Sequence, residues 1–320
     1  MTITTRLTQS LDIQQPILLA PMAGVSGGEL AAAVTGAGGL GMIGGGYGER
    51  EWLEREFAAA GNARVGVGFI TWSLARQPDL LALALDRAPA CVMLSFGDIA
   101  PFVPAIKAAG VALICQVQTV AEARQVVDQG ADIVVAQGTE AGGHGGARAT
   151  LPLVPAVVDA LGGSVPVAAA GGIADGRGLA AALMLGADGV LMGTRFYAAA
   201  EALVAEAAQR RLVEASGDAT LRGGLFDLAR GIDWPDPYTL RTLENDFSDR
   251  WKDDGAGLMA DIETTRAAYD AARDRGDFDE AAVIAGEAAD LVNAISPAAN
   301  IVAEIAAAAE ALLRTAGDRL

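Results

Sequence analysis

The 320 residues predict an α/β fold, a TIM (β/α)8 barrel carrying a mainly helical C-terminal insertion or small domain. Three observations lead there. Eight short apolar runs of β type alternate with segments of helical length up to Gly193. The runs are apolar almost throughout, as parallel strands covered on both faces must be. The phrases "AAGVALI", "DQGADIVV" and "MLGADGVL" recur at helix-to-strand joints, each with a glycine where a helix stops and the chain reverses. Eight such units suit closure into a barrel, with an open doubly wound sheet as the runner-up.

In chain order, strands are expected at 17–20, 39–43, 65–70, 91–95, 111–117, 132–136, 165–169 and 189–192. Helices are expected at 28–35, 49–60, 78–88, 101–109, 119–129, 152–161 and 178–185. After Arg195 the rhythm ends. Residues 201–214 read as a charged helix, and 222–277 mix Trp234, Trp251 and many Asp and Arg with no β/α alternation, which suggests a helical insertion over the barrel mouth. Residues 297–313 form an Ala-rich helix whose Ile301, Ile305 and Leu312 offer one apolar face. It is expected to return to the barrel and close the outer ring. The division is therefore 1–205 for the barrel, 206–285 for the insertion and 286–320 for the return.

Composition narrows the partners. The chain is 52% hydrophobic, and its net charge of -17 comes with no cluster of Lys and Arg. Such a surface repels phosphate backbones and anionic lipid, so neither nucleic acid nor a membrane is an expected partner. No run of about 18 apolar residues and no leader-like start is present, so a cytoplasmic location is expected. Self-association into a homo-oligomer stays open. Cys91 and Cys115 lie in apolar runs and read as buried free thiols.

The glycines come next. Gly39, Gly41 and Gly44 in "GLGMIG" have dinucleotide-fingerprint spacing, but they fall inside a strand and no acid follows at the needed distance, so close packing is preferred. "AAAGGIADGRG" and "LMGTRF" fall where the seventh and eighth strands end. In a β/α barrel these two loops commonly cradle a phosphate on bare N–H groups, which predicts a phosphorylated ligand; tight turns are the plainer reading.

His144, the single histidine, stands in "AQGTEAGGHGG" after the sixth strand, on the face where barrels carry their chemistry. Flanked by Gly142, Gly143, Gly145 and Gly146, it is expected to have little side-chain cover. It reads as a base, hydrogen-bond donor or electrostatic partner, against a loop-stabilising role. Glu140 either orients it or caps the loop. Met22, ending the first strand, lies under a flat ring or fills the core. Gln116 and Gln137 end the fifth and sixth strands, where an inward amide can address a polar heteroring.

Together "APMAGVS", "AGGLGMIGGG", "AQGTEAGGHGG", "AAGGIADGRG" and "MGTRF", over residues 16–196, resemble the nitronate monooxygenase family, formerly 2-nitropropane dioxygenases. Residues 286–304 resemble that family's return segment. Flavin-dependent enoyl-acyl-carrier-protein reductases share the motifs. The resemblance implies an FMN-dependent, metal-free barrel that oxidises alkyl nitronates with O2 to a carbonyl compound and nitrite. It implies that Gln137 and Gly142 contact the flavin, that Gly171, Gly172, Met192, Gly193 and Thr194 hold its phosphate region, and that Met22 lies near the ring. His144 matches the family's active-site histidine and would take an α-proton or, as the site's nearest positive charge, hold nitro oxygens. Two positions depart: Gly68 stands where many relatives have Asn, and Gly145 where they often have a larger residue. The alternatives are an NAD(P)H-dependent flavin reductase of an enoyl thioester or quinone and, from another class, a flavin-free sugar-phosphate lyase or isomerase.

Overall fold

The computed structural model describes residues 3–316; residues 1–2 and 317–320, the outer ends of the first and last expected segments, lie outside the described residues. Eight parallel strands form one sheet: β1 Ile17–Leu19, β2 Met42–Gly44, β3 Gly66–Ile70, β4 Cys91–Ser95, β5 Ala112–Val117, β6 Ile133–Gln137, β8 Val167–Ala170 and β9 Gly189–Met192. Their order is β1-β9-β8-β6-β5-β4-β3-β2. The ends meet where Leu18 bridges Leu40 in parallel, so the sheet comes round on itself.

Period-2 alternation sorts each strand's side chains. Leu18, Met42, Met93, Ile114, Val135, Ala168 and Leu191 converge on one buried cluster inside the barrel, which Leu7 and Leu11 of the helix Arg6–Leu11 plug from below. Their neighbours Ile17, Ile43, Val92, Leu113, Val134, Val167 and Val190 point outward into a larger core shared with the helices. Each fully buried aliphatic side chain contributes about 1.5–3 kcal/mol, which is why both faces of these strands are apolar. The two cysteines are free and buried, Cys91 in the inner cluster and Cys115 in the outer.

The second strand starts three residues later than expected, because the helix Gly28–Gly36 presses on the preceding glycines. A Cβ on Gly41 would stand 1.8 Å from the carbonyl oxygen of Ala31, and one on Gly44 2.3 Å from that of Met22. "GLGMIG" is thus a packing device. The helix Ala298–Thr315 does return to the barrel, seating itself between Gly28–Gly36 and Gly176–Met184.

The region after the barrel is mainly helical, with helices such as Glu206–Glu214, Leu225–Arg230 and Ile262–Asp274. It also holds two strands that its polar sequence hides, β10 Thr220–Gly223 and β11 Thr239–Leu243. These pair antiparallel with β7, Gly143–Gly145, which lies in the glycine-rich loop after β6. Phe226, Leu240, Phe247, Leu258 and Tyr269 give the insertion its own small core, against which Trp251 packs. Among the described residues no helix is long and apolar enough to cross a membrane.

Candidate active site

A cavity of about 200 Å³ opens at the C-terminal ends of the strands. Met22, Gln116, Gln137, Gly142 and His144 line it. Gly171, Gly172, Gly193 and Thr194 line it from the ends of β8 and β9. Met192 must be corrected: its side chain points outward into the helix-covered core and is 1% exposed. The strand alternation requires this, since Leu191 and Gly193 on either side of it face the cavity.

His144 is the largest departure from expectation. The glycines around it do not leave it bare, because they let residues 143–145 run as a strand beneath the insertion, with His144 opposite Leu240. The imidazole is 8% exposed. It stacks on Trp234 with centroids 3.4 Å apart and planes 10° from parallel. Its Nε2 lies 2.9 Å from Oδ2 of Asp227, whose side chain is equally buried. An ionised carboxylate can only accept, so Nε2 carries the proton and Nδ1 is left as an unprotonated acceptor. Burial pulls the imidazole's pKa below its ordinary 6.5, against the raising influence of Asp227, and the charges of Arg230 and Arg222 pull the same way as burial. The expectation that His144 is the site's nearest positive charge is therefore corrected. The guanidinium of Arg230, which lines the cavity, takes that place.

Gln137 is a strut as much as a wall. Its Oε1 accepts from Nε2 of Gln116 at 3.0 Å and of Gln118 at 2.9 Å, while its own Nε2 donates to the carbonyl of His144 at 3.1 Å. That leaves one amide hydrogen of Gln137, and the oxygen of Gln116, to face a ligand. Glu140 caps the loop and does not touch His144: its carboxylate accepts from the N–H and hydroxyl of Thr150. Arg222 ties the same loop to β11 by donating to the carbonyls of Thr139 and Ala141 in the loop and of Thr239 in the strand. The small residue at 145 follows from this, since a Cβ there would lie 3.1 Å from Gln137 Oε1 and 3.5 Å from Arg222. At Gly68 a Cβ would meet Pro21 at 2.2 Å, so no asparagine fits while Pro21 stays in place.

The rim turns are built without side chains. Gly171 and Gly172 have φ of 102° and 69°, in the left-handed region that glycine alone enters freely. A Cβ on Gly171 would come within 2.7 Å of Thr150 Oγ1. Gly193 opens the short helix Thr194–Tyr197, whose start has no side-chain cap. The Thr194 hydroxyl accepts the N–H of Gly286 in the return segment and keeps its own hydrogen to donate.

Asp227, Arg230 and Trp234 are the site residues that sequence reading missed. Trp234 stands out in the sequence only as bulk in the region after the barrel, and nothing local marks Asp227 or Arg230 among its many Asp and Arg. The sole signal for them was their place in a region expected to cover the mouth.

The chain as a whole is similar to known proteins. The family model described as nitronate monooxygenase matches residues 4–64 and 77–308. The chain is 36% identical to the nitronate monooxygenase npaC of Metarhizium robertsii, over 93% of this chain and 91% of that protein. It is also 36% identical to the nitronate monooxygenase of Pseudomonas aeruginosa, over 93% and 97%. Among solved structures, FabK from Thermotoga maritima superposes with a TM-score of 0.88 at 31% identity over 100% of both chains. The nitroalkane oxidase from Streptomyces ansochromogenes does so at 0.80 and 29%, over 98% and 99%.

Proposed function

The chain belongs to the nitronate monooxygenase family, and from that premise we propose that it is an FMN-dependent enzyme that oxidises alkyl nitronates with O2 to a carbonyl compound and nitrite. The observation that carries this reading is a buried imidazole, held through Nε2 by Asp227, set in the same cavity as a cradle without side chains.

The residues present fit the cofactor. Gly171 and Gly172, in left-handed backbone, and Gly193, at the uncapped start of Thr194–Tyr197, would offer bare N–H groups, and Thr194 adds a hydroxyl, so these four would hold the phosphate. Met22, Gly142 and the free amide groups of Gln116 and Gln137 would meet the ring. When bound, the flavin supplies the electron acceptor for the nitronate and the route by which O2 is reduced.

The protein's own part is binding and proton transfer. Asp227 holds His144 in the tautomer whose Nδ1 can take the α-proton of a neutral nitroalkane; a substrate that arrives as the nitronate needs no such step. Trp234 covers one face of the imidazole and keeps water from it. The family assignment leaves the flavin-free sugar-phosphate alternative without support. We also propose the three-part division at 205/206 and 285/286, in which the insertion supplies Asp227 and Trp234.

A second reading, an NAD(P)H-dependent reductase of an enoyl thioester or quinone, is favoured by the superposition on FabK over its full length. Anaerobic mixing separates the two. Bleaching of the yellow holoenzyme by nitronate alone is expected; bleaching by NADH and not by nitronate overturns the proposal. Purified protein that stays colourless with added FMN overturns both.

A further inference from the structure

Three arginines of the insertion lie near the loop that carries His144, and they are not alike. Arg222 spends its guanidinium on backbone carbonyls. Arg241 is spent on the carbonyl of Thr139, the hydroxyl of Thr220 and the carboxylate of Glu287. Arg230 differs. Its hydrogen bond to Oδ1 of Asp227 is 3.5 Å long, the outer limit, while it leans over the ring of Tyr47 at 5.9 Å and has the Tyr47 hydroxyl as a second polar neighbour. A guanidinium has five N–H donors, so Arg230 has donors to spare. It is also the one Lys or Arg among the described residues lining the cavity. Its side chain is 20% exposed, in a protein of net charge -17 whose overall field does nothing to draw anions in.

The partner it holds loosely is the one that matters. The two oxygens of Asp227 are divided, Oδ1 toward Arg230 and Oδ2 toward His144.

We propose that Arg230 is the receptor for the anionic head of the substrate, and that on binding it Arg230 gives up its long contact with Asp227 and leaves that carboxylate to His144. This rests on the reading of the site as one that takes a nitronate, and adds that selection for the anion resides in Arg230. A planar anion with two oxygens in line matches the fork of a guanidinium. Binding also changes the histidine. The charged groups facing it are Asp227, Arg230 and Arg222, with the Tyr47 hydroxyl beside Arg230. Neutralising Arg230 removes one of the two cations that disfavour a proton there. The imidazole therefore becomes more basic when the anion is bound, and binding takes up a fraction of a proton at pH values around the histidine's own titration.

Nitrate is a suitable probe, being planar, trigonal and unreactive here, and its binding does not depend on turnover. It is titrated calorimetrically into FMN-loaded enzyme in two buffers of different ionisation enthalpy. Wild type is expected to bind nitrate with net proton uptake. Losing a charge-assisted hydrogen bond weakens binding about 10- to 100-fold, so Arg230→Gln is expected to show that loss and no proton uptake. Arg230→Lys, which keeps the charge without the fork, should fall between them. Nitronate KM should rise in Arg230→Gln by the same factor as nitrate affinity falls, with kcat little changed. Equal nitrate affinity in wild type and Arg230→Gln overturns the proposal, as does a loss confined to His144→Asn with Arg230 intact. Should nitronate prove not to be a substrate, the calorimetry still decides the role of Arg230, so the two failures are told apart.

Discussion

Replacing Asp227 with Asn removes a charge and almost no volume, at a carboxylate 2.9 Å from Nε2 of His144 with both side chains 7% exposed. A buried hydrogen bond to a charged partner contributes about 1.5–3 kcal/mol. At 1.36 kcal/mol per pKa unit, its loss lowers the basicity of the imidazole by about 1–2 units. The direction is fixed by the surroundings: Asp227 is the group that raises this pKa, while burial, Arg230 and Arg222 lower it. A general base works in its neutral form, so activity is present above the folded-state pKa and is lost as pH falls through it. In Asp227→Asn the acidic limb of the kcat/KM profile for a neutral nitroalkane should move down by about 1–2 pH units. The plateau should fall by about tenfold or more, because a weaker and less firmly oriented base moves the proton more slowly. The preformed nitronate, which needs no deprotonation, should react at close to the wild-type rate. The assay is steady-state O2 uptake with both substrate forms across pH, at matched flavin content. An acidic limb that stays in place, or an equal loss on both substrate forms, would refute the reasoning and make Asp227 a structural residue.

Two further outcomes test the rim and the core. Gly171→Ala places a Cβ at φ 102° and 2.7 Å from Thr150 Oγ1; left-handed strain alone costs about 1–2 kcal/mol, so FMN should bind about 5- to 30-fold more weakly, read from flavin fluorescence on titration into apoprotein, while the far-ultraviolet dichroism stays unchanged. Burial pushes the thiols of Cys91 and Cys115 up to about 12, so a thiolate-seeking disulfide reagent at pH 8 should label neither in the folded protein and both after denaturation; labelling of the folded protein would show that one of the two strands opens.

What was legible in the sequence, and what was not, divides along the range of the interactions. The barrel strands announce themselves because each apolar run is a local signal: Cys91–Ser95 can be read from five consecutive residues, and all five are buried. The same local rule, applied with alternation, would have turned Met192 away from the cavity, since Leu191 and Gly193 take the inward places. The rim glycines were legible for a similar reason, as their need for left-handed backbone is a property of the residue itself. The strand nature of residues 143–145 was not legible. Glycine has low β-propensity, and these three extend only because β11, nearly a hundred residues later, supplies the hydrogen-bonding edge.

The same non-local pairing explains why the chemistry at His144 was only half visible. Register sets Leu240 opposite His144. The chain on the N-terminal side of β11 then has to pass over the imidazole, which puts Trp234 on its face and, one short helix earlier, Asp227 on its edge. A histidine on a barrel loop is an exposed, weakly basic group with no fixed tautomer. Under the insertion it becomes buried and oriented, tied to a carboxylate that it shares with a cation. The barrel thus supplies the cradle, and the insertion determines how basic the imidazole is and which charge it stands beside. It follows that relatives with the same barrel motifs and a different insertion should keep the flavin and differ in which substrate, neutral or anionic, they accept. Exchanging residues 220–243 between two such enzymes should carry that preference across, and retention of the parent's preference in the exchanged protein would place it in the barrel instead.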